Sequence, residues 1–289
     1  MKKSISYVCV IAAALLWGCM GILVRTMNEG GLTSVEVVTF RCVITAVIML
    51  LGMFLFKREE LKIKLKDVWC FLGTGVLSVV FFNICYFSCM KYCSLSTAAI
   101  LLYTAPAFVM VMSYFLFKEK FTGRKVLALL SAFAGCVLVS GGFGTGGIGT
   151  VGLLTGLGAG FGYALYTIFG RYALERGYSS FTITTYTFLF AMLGCLLITD
   201  VPHLVGCLSV APELIGQGIV WTFLTTVAAY LLYTKGLGGM ESGKASILAT
   251  IEPVMATLVG CVVFKEPLTY VAIGGILLVL FSSILMVRK

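Results

Sequence analysis

The chain has 289 residues, of which 60% are hydrophobic and only 11% charged. Soluble domains carry roughly a quarter charged residues, so this composition excludes a water-soluble domain and leaves an integral membrane protein. The net charge of +9 does not point to nucleic acid, because Lys and Arg fall in short clusters between apolar runs rather than along one surface.

Apolar runs occupy residues 5–25, 34–56, 67–90, 96–117, 124–141, 150–171, 180–199, 212–234, 244–264 and 268–287. A hydrocarbon core about 30 Å thick takes roughly 20 apolar residues per helix, so ten spans leave only short loops and no room for a soluble domain. Strands are disfavoured because the runs are too long and do not alternate. The first run follows Lys2 and Lys3 and contains Leu16-Trp17-Gly18-Cys19, which mimics a lipoprotein cleavage site. It continues to Val24 without a small-residue processing site and reads as a retained helix.

On the third span Cys85, Cys89 and Cys93 form a stripe. With no His nearby it reads as packing rather than as a soft-metal row. Between the fifth and sixth spans, Gly142-Phe143-Gly144-Thr145-Gly146-Gly147 has the spacing of a dinucleotide fingerprint. No strand–helix unit surrounds it, so it reads as a linker. Gly152, Gly156 and Gly160, with Gly158 and Gly162, give the sixth span a smooth face for close helix contact.

Alternate loops divide Lys and Arg very unequally, 17 on one side against Arg25, Lys91 and Lys265 on the other. By the positive-inside rule both termini are expected in the cytoplasm of a multi-pass protein of a prokaryotic plasma membrane, with an even number of spans.

An internal repeat is the strongest signal. Ala98-Ala99-Ile100-Leu101, Pro106 and Phe117-Lys118-Glu119 recur without a gap as Ala245-Ser246-Ile247-Leu248, Pro253 and Phe264-Lys265-Glu266. Tyr86 and Lys91 are matched by Tyr230 and Lys235, and Trp17 and Arg25 by Tyr163 and Arg171. The halves are 1–144 and 145–289. Each holds five spans, so the second copy enters the membrane upside down. The expected fold class is an all-α integral membrane protein with ten transmembrane helices as two inverted five-helix repeats, a transporter architecture.

These residues resemble the drug/metabolite transporter superfamily, and within it the EamA-like ten-helix carriers. The resemblance rests on the Trp17-Gly18 pair, Arg41 in the second span, and a Pro followed thirteen residues later by Glu, at Pro106 to Glu119 and Glu252-Pro253 to Glu266. It implies a cavity between the halves, alternating access and, in many members, export of amino acids or related metabolites. Members with a similar pattern also handle sugars, nucleotide precursors and organic cations, so the resemblance gives a mechanism class rather than a ligand.

Glu252 is the acidic residue nearest the middle of a span. Burying its charge costs about 2.5–3.5 kcal/mol on the lenient insertion scale, so it is expected to face a cavity, find a partner or take a proton. It is the candidate for proton or cation coupling or for binding an amine, against a structural hydrogen bond as the plain alternative. Pro106 and Pro253 are expected to kink their helices, freeing carbonyls near Leu102 and Ala249, either for gating or for ordinary packing. Arg41 needs an internal partner, either Glu36 or a substrate carboxylate, unless it anchors loops near the outer surface. Trp17, Asn83, Tyr86, Tyr103, Tyr163, Tyr166, Tyr230 and Tyr233 can stack on an organic ligand or hold a cation on a ring face, although Tyr and Trp also mark membrane interfaces. The substrate set is Trp17, Asn83, Tyr86, Tyr103, Tyr163, Tyr230 and Glu252, with Glu252, Arg41, Pro106 and Pro253 as coupling or gating residues.

The expected partners are a small-molecule substrate, a proton or counter-substrate and membrane lipid, with no nucleic acid, cofactor or metal. No HExxH, GxSxG or pair of intramembrane acids supports an enzyme, and the single His, His203, falls in an outer loop. No nucleotide-hydrolysing loop is present, so a gradient must drive uphill movement. The expected function is secondary export of an amino acid or related metabolite, the alternative being efflux of hydrophobic or quaternary cations.

Overall fold

The computed structural model describes residues 3–143 and 149–287. Lys2, Arg288 and Lys289 of the charge count, and the linker residues Gly144, Thr145, Gly146 and Gly147, lie outside the described residues.

In hydrocarbon each backbone N–H and C=O must be satisfied internally, and every apolar run meets that demand as helix. The elements are α1 (Lys3–Gly18), α2 (Met20–Glu29), α3 (Ser34–Phe56), α4 (Val68–Leu72), α5 (Phe81–Tyr92), α6 (Leu95–Leu102), α7 (Ala105–Phe117) and α8 (Gly123–Val139). They continue with α9 (Thr150–Glu175), α10 (Ser180–Leu196), α11 (Val201–Val210), α12 (Glu213–Thr222), α13 (Ala229–Leu237), α14 (Ser242–Ala249), α15 (Glu252–Val263) and α16 (Tyr270–Val287). Wider π-helical turns join α4 to α5 (Gly73–Val80) and α12 to α13 (Phe223–Ala228).

Among the described residues eight continuous helices are long and apolar enough to cross a membrane, or nine when the bent pair α10–α11 is taken as one span. The difference from the expected ten lies in α8 and α10, each of only 17 residues. The loop expected after residue 199 is instead α11, turned by 102° from α10. Asp200 caps it, its carboxylate accepting from His203 N at 3.1 Å, and Pro202 stands in its first turn, where a missing N–H costs nothing.

The helices interleave along the chain: α1 packs on α13, α14 and α15, whereas α9 packs on α5, α6 and α7. The Cys stripe and the glycine face meet in the second of these contacts. A Cβ at Gly152 would stand 2.3 Å from Cys93 Sγ, and one at Gly158 3.1 Å from Cys85 Sγ. The Cys89 thiol donates to Gly152 O at 3.3 Å. Elsewhere Thr74 and Thr187 share a buried hydrogen bond of 2.6 Å between the π-helical turn Gly73–Val80 and α10, the polar bonding that joins helices where water is absent.

Each proline-bearing span remains one helix of membrane length, interrupted by a short turn before the proline. α6 ends at Leu102 and α7 restarts at Ala105, with Pro106 in its first turn; α14 ends at Ala249 and α15 restarts at Glu252, with Pro253 in its first turn. Each proline therefore stands in the first turn after the interruption, where its missing N–H costs nothing. Carbonyls at the breaks are taken up locally, Thr104 Oγ1 donating to Leu101 O and Thr250 Oγ1 to Ile247 O, each at 2.6 Å. The repeated Phe-Lys-Glu ends α7 and α15 alike. Lys118 and Lys265 are the described non-glycine residues with positive φ, at 55° and 59°. The next amides close the turn, Glu119 N on Ser113 O at 3.2 Å and Glu266 N on Gly260 O at 3.1 Å.

Gly18 shows why Trp17 is followed by glycine. A Cβ there would lie 2.6 Å from Glu252 O and 2.5 Å from Met255 Cβ, so α1 crosses the start of α15 backbone to backbone. Gly18→Ala is expected to destabilise the protein by about 1–3 kcal/mol, read as a lower melting temperature in detergent. Gly21→Ala, where nothing lies within 4 Å, is the neutral comparison.

Candidate functional site

The interleaving of α1 with α13 brings Trp17 onto a cluster of tyrosines. Its ring lies 5.2 Å from Tyr230, 5.1 Å from Tyr233 and 6.3 Å from Tyr163. Tyr166 stands edge-on to Tyr230 at 4.9 Å, and Phe82 to Tyr163 at 5.7 Å. Helical spacing puts Tyr163 and Tyr166 on one face of α9, and Tyr230 and Tyr233 on one face of α13. Two hydroxyls are fixed by threonines, Tyr166 with Thr234 at 2.6 Å and Tyr233 with Thr167 at 2.7 Å. Trp17 Nε1 is buried with no acceptor. The void these rings enclose measures about 10 Å³, room for about one water.

Glu252 adjoins the cluster. Tyr163 donates its phenol to Glu252 Oε2 at 3.1 Å. As the first residue of α15 the carboxylate sits at a helix N-terminus, whose unpaired amides and dipole favour an anion. Tyr86, Tyr103 and Arg41 lie within electrostatic reach of it. Arg41 itself is tied by Nε to Thr226 Oγ1 at 3.1 Å, in the π-helical turn between α12 and α13. Glu36, offered as its partner, is five residues away and so on a different face of α3. Its Oε1 meets His203 Nδ1 at 2.7 Å, and Oε2 accepts from Thr33 N at 2.7 Å.

Trp17, Tyr163, Tyr230 and Glu252 are thus brought together, with Tyr86 and Tyr103 within electrostatic reach of Glu252. Asn83 is not in the cluster. Its amide donates to Val79 O at 2.7 Å and lines a separate groove of about 300 Å³ with Val38, Phe87, Lys91 and Ile198. Val80 borders this groove and Val79 the aromatic void, so the π-helical turn forms a thin wall between them. Pro106 and Pro253 stand in the first turn after the interruptions, and Pro253 O accepts from Thr257 Oγ1 at 2.9 Å. Tyr166, Tyr233 and Phe82 complete the void; of these only Phe82 carried no sequence signal beyond its place one turn before Tyr86.

The two ends of the bundle differ. At the end rich in Lys and Arg, Glu119 accepts from Ser242 N at 2.6 Å and Gly243 N at 3.1 Å, capping α14 from across the chain. Lys125, buried, reaches Glu241 at 3.1 Å and Glu119 at 3.7 Å. Nearby, Asp67 accepts from Arg176 Nε at 3.1 Å and Tyr178 OH at 2.8 Å, and Ser179 OH bonds Glu60. At the other end Glu266 pairs with Arg25 at 3.0 Å, both half exposed.

Burial pushes the Glu241 and Glu60 carboxyls up. Hydrogen bonds and charge from Lys125 and Lys244, and from Lys57 with Ser179, outweigh it, so both are held below the ordinary carboxylate range. A lowered folded pKa contributes stability that is complete above the unfolded value and lost as pH falls through the folded one. Melting temperature is therefore expected to drop on acidification below about pH 4.3. Lys125→Gln should flatten that drop, which a melting series in detergent would read.

A polytopic helical bundle with this enclosed, aromatic, acid-bearing centre defines the class, a membrane transporter of small molecules. The chain belongs to the EamA-like transporter family, whose profile matches it twice, over residues 4–141 and 150–288. It is 27% identical over 260 residues to the uncharacterized transporter YetK of Bacillus subtilis, covering 86% of this chain and 77% of that protein. To the uncharacterized transporter YwfM of the same organism it is 25% identical over 287 residues, covering 98% and 93%. An uncharacterized transporter of Archaeoglobus fulgidus is 28% identical over 246 residues, covering 84% and 83%. A solved crystal structure superposes with a TM-score of 0.78 at 17% identity, covering 98% of this chain and 96% of that one, a likeness of fold.

Proposed function

We propose that the protein is a secondary exporter of an amino acid or related small metabolite, working by alternating access between two inverted halves, 1–144 and 145–289. The observation that carries the reading is Glu252 at a helix break beside the Trp17–Tyr163–Tyr230–Tyr233 cluster. A carboxylate takes a substrate ammonium or a proton, Arg41 offers a charge to a substrate carboxylate, and the rings receive its apolar part. The double family match and the two identically broken helices support the inverted halves. The charge asymmetry supports cytoplasmic termini in a prokaryotic plasma membrane. On that orientation the Lys-rich end is the inner one and the Asn83–Lys91 groove opens outward.

A void for about one water cannot hold a metabolite, so binding requires the rings to part. Any ligand bound only by the folded carrier raises its melting temperature by mass action. Purified protein is to be screened against amino acids, nucleosides, sugars and quaternary cations, and hits tested for counterflow in vesicles. Stabilisation and saturable counterflow with amino acids carry the proposal. A response confined to quaternary cations selects cation efflux, which Glu252 among aromatic rings also suits. Non-saturable flux makes the protein a pore.

A further inference from the structure

Outside the aromatic centre, a feature the transport reading does not use is a cavity of about 390 Å³ at the Lys-rich end, between the start of α8, the start of α14 and the end of α16. Lys120, Arg124, Lys125 and Lys244 line it against a single acid, Glu241. Lys125 is engaged by Glu241 at 3.1 Å, by Glu119 at 3.7 Å and by Lys120 O at 3.0 Å. Lys244 shares Glu241 at 3.3 Å and is one-third exposed. Glu241 and Glu119 thus serve Lys125 and Lys244, and with Lys120 on the rim three ammonium groups stand against two carboxylates, so this end keeps an excess of positive charge. Its floor is aliphatic, from Leu285 and Met286.

We infer that this cavity holds the phosphate of an acidic phospholipid, with the acyl chains running down the faces of α8 and α16. The phosphate, an anion with several acceptor oxygens, meets Lys120 and Lys244 as a charge-assisted hydrogen-bond partner. The lipid source follows from what lies below. Leu127 and Leu130, in the first two turns of α8, and Phe281 and Ile284, in the last two turns of α16, are exposed apolar residues on the helices whose ends border the cavity. In a membrane-spanning chain such faces meet acyl chains, and the cavity stands at the headgroup level above them. A dissolved phosphate has no use for either the aliphatic floor or these faces.

The test uses the full chain in nanodiscs of phosphatidylcholine with and without phosphatidylglycerol, followed by native mass spectrometry of the lipid retained in detergent. Wild type is expected to keep a phosphatidylglycerol that Lys120→Gln/Lys244→Gln holds about 10- to 30-fold more weakly, near 1 kcal/mol for each charge. Lys62→Gln/Lys64→Gln, at another basic loop, should keep it. An unchanged melting temperature in phosphatidylcholine shows that the variants fold; a misfolded double variant is replaced by Lys120→Gln alone, on the rim. Equal retention by wild type and variant, or equal loss with the Lys62/Lys64 pair, overturns the inference, since general basic charge then suffices. Displacement by millimolar inorganic phosphate also overturns it, making the cavity a site for a free anion.

Discussion

Glu252→Gln is expected to lower pH-gradient-driven flux in reconstituted vesicles by at least about tenfold, close to 1.4 kcal/mol of coupling, while leaving substrate exchange measurable. The amide is nearly isosteric and can still accept the Tyr163 hydrogen bond of 3.1 Å, so the site keeps its shape. It cannot take up or release a proton. A carboxylate at this depth is stabilised by the N-terminus of α15 and by the Tyr163 phenol. Those groups favour the charged form, and the apolar surround favours the neutral one. Such a balance lets occupancy by proton or substrate decide the state. Tyr163→Phe separates coupling from binding, since it removes the donor but leaves the carboxylate. It should weaken substrate binding several-fold with the pH-gradient response intact. Unchanged coupling in Glu252→Gln would remove Glu252 from the energising step and leave exchange as the mode of action.

Much of this arrangement is legible from spacing alone, and what is not has identifiable physical causes. Tyr163 and Tyr166, like Tyr230 and Tyr233, are three apart on apolar runs, so any helical reading puts each pair on one face. That α1 carries Trp17 to both pairs depends on which helices become neighbours, and hydropathy is silent on that point. Gly18 was available as a clue, because a glycine beside a tryptophan within a span implies close backbone approach. Pro106 and Pro253 were read as kinks because proline inside a long apolar run usually bends it. The break arises two residues earlier, where Tyr103-Thr104 and Thr250-Ile251 leave the helix and threonine hydroxyls take the carbonyls. Asn83 is expected in the site because its helix resembles a cavity-forming one, but an amide within reach of the carbonyl four residues back satisfies itself. The π-helical turns that offset α5 and α13 have no comparable sequence mark.

The repeated Glu119 and Glu266 carry the second large effect, because equivalent residues make different bonds. Glu119 caps α14, whose own N-cap residue, Glu241, makes no capping bond. The corresponding helix α6 begins after Ser94, whose hydroxyl caps Thr97 N at 3.1 Å, and Glu266 pairs with Arg25 instead of reaching it. The Lys-rich end therefore carries a contact between distant parts of the chain that the other end lacks. Glu119→Gln removes the charge from a capping bond worth about 0.5–2 kcal/mol and leaves the buried Lys125 with Glu241 as its remaining acidic partner. Expected results are a melting temperature lower by several degrees and, in right-side-out vesicles, greater labelling of a cysteine placed at Ser246 by a permeant than an impermeant thiol reagent. Glu266→Gln breaks a half-exposed ion pair, worth about 0–1 kcal/mol, and should leave both readings near wild type at rest. If the halves exchange conformations in the transport cycle, Glu266 must meet the amides of Leu95 and Ser96 when the other end closes. Glu266→Gln should then slow turnover without altering resting stability. A Glu266→Gln carrier with wild-type turnover would confine the latch to Glu119, and the two ends would open by unrelated means.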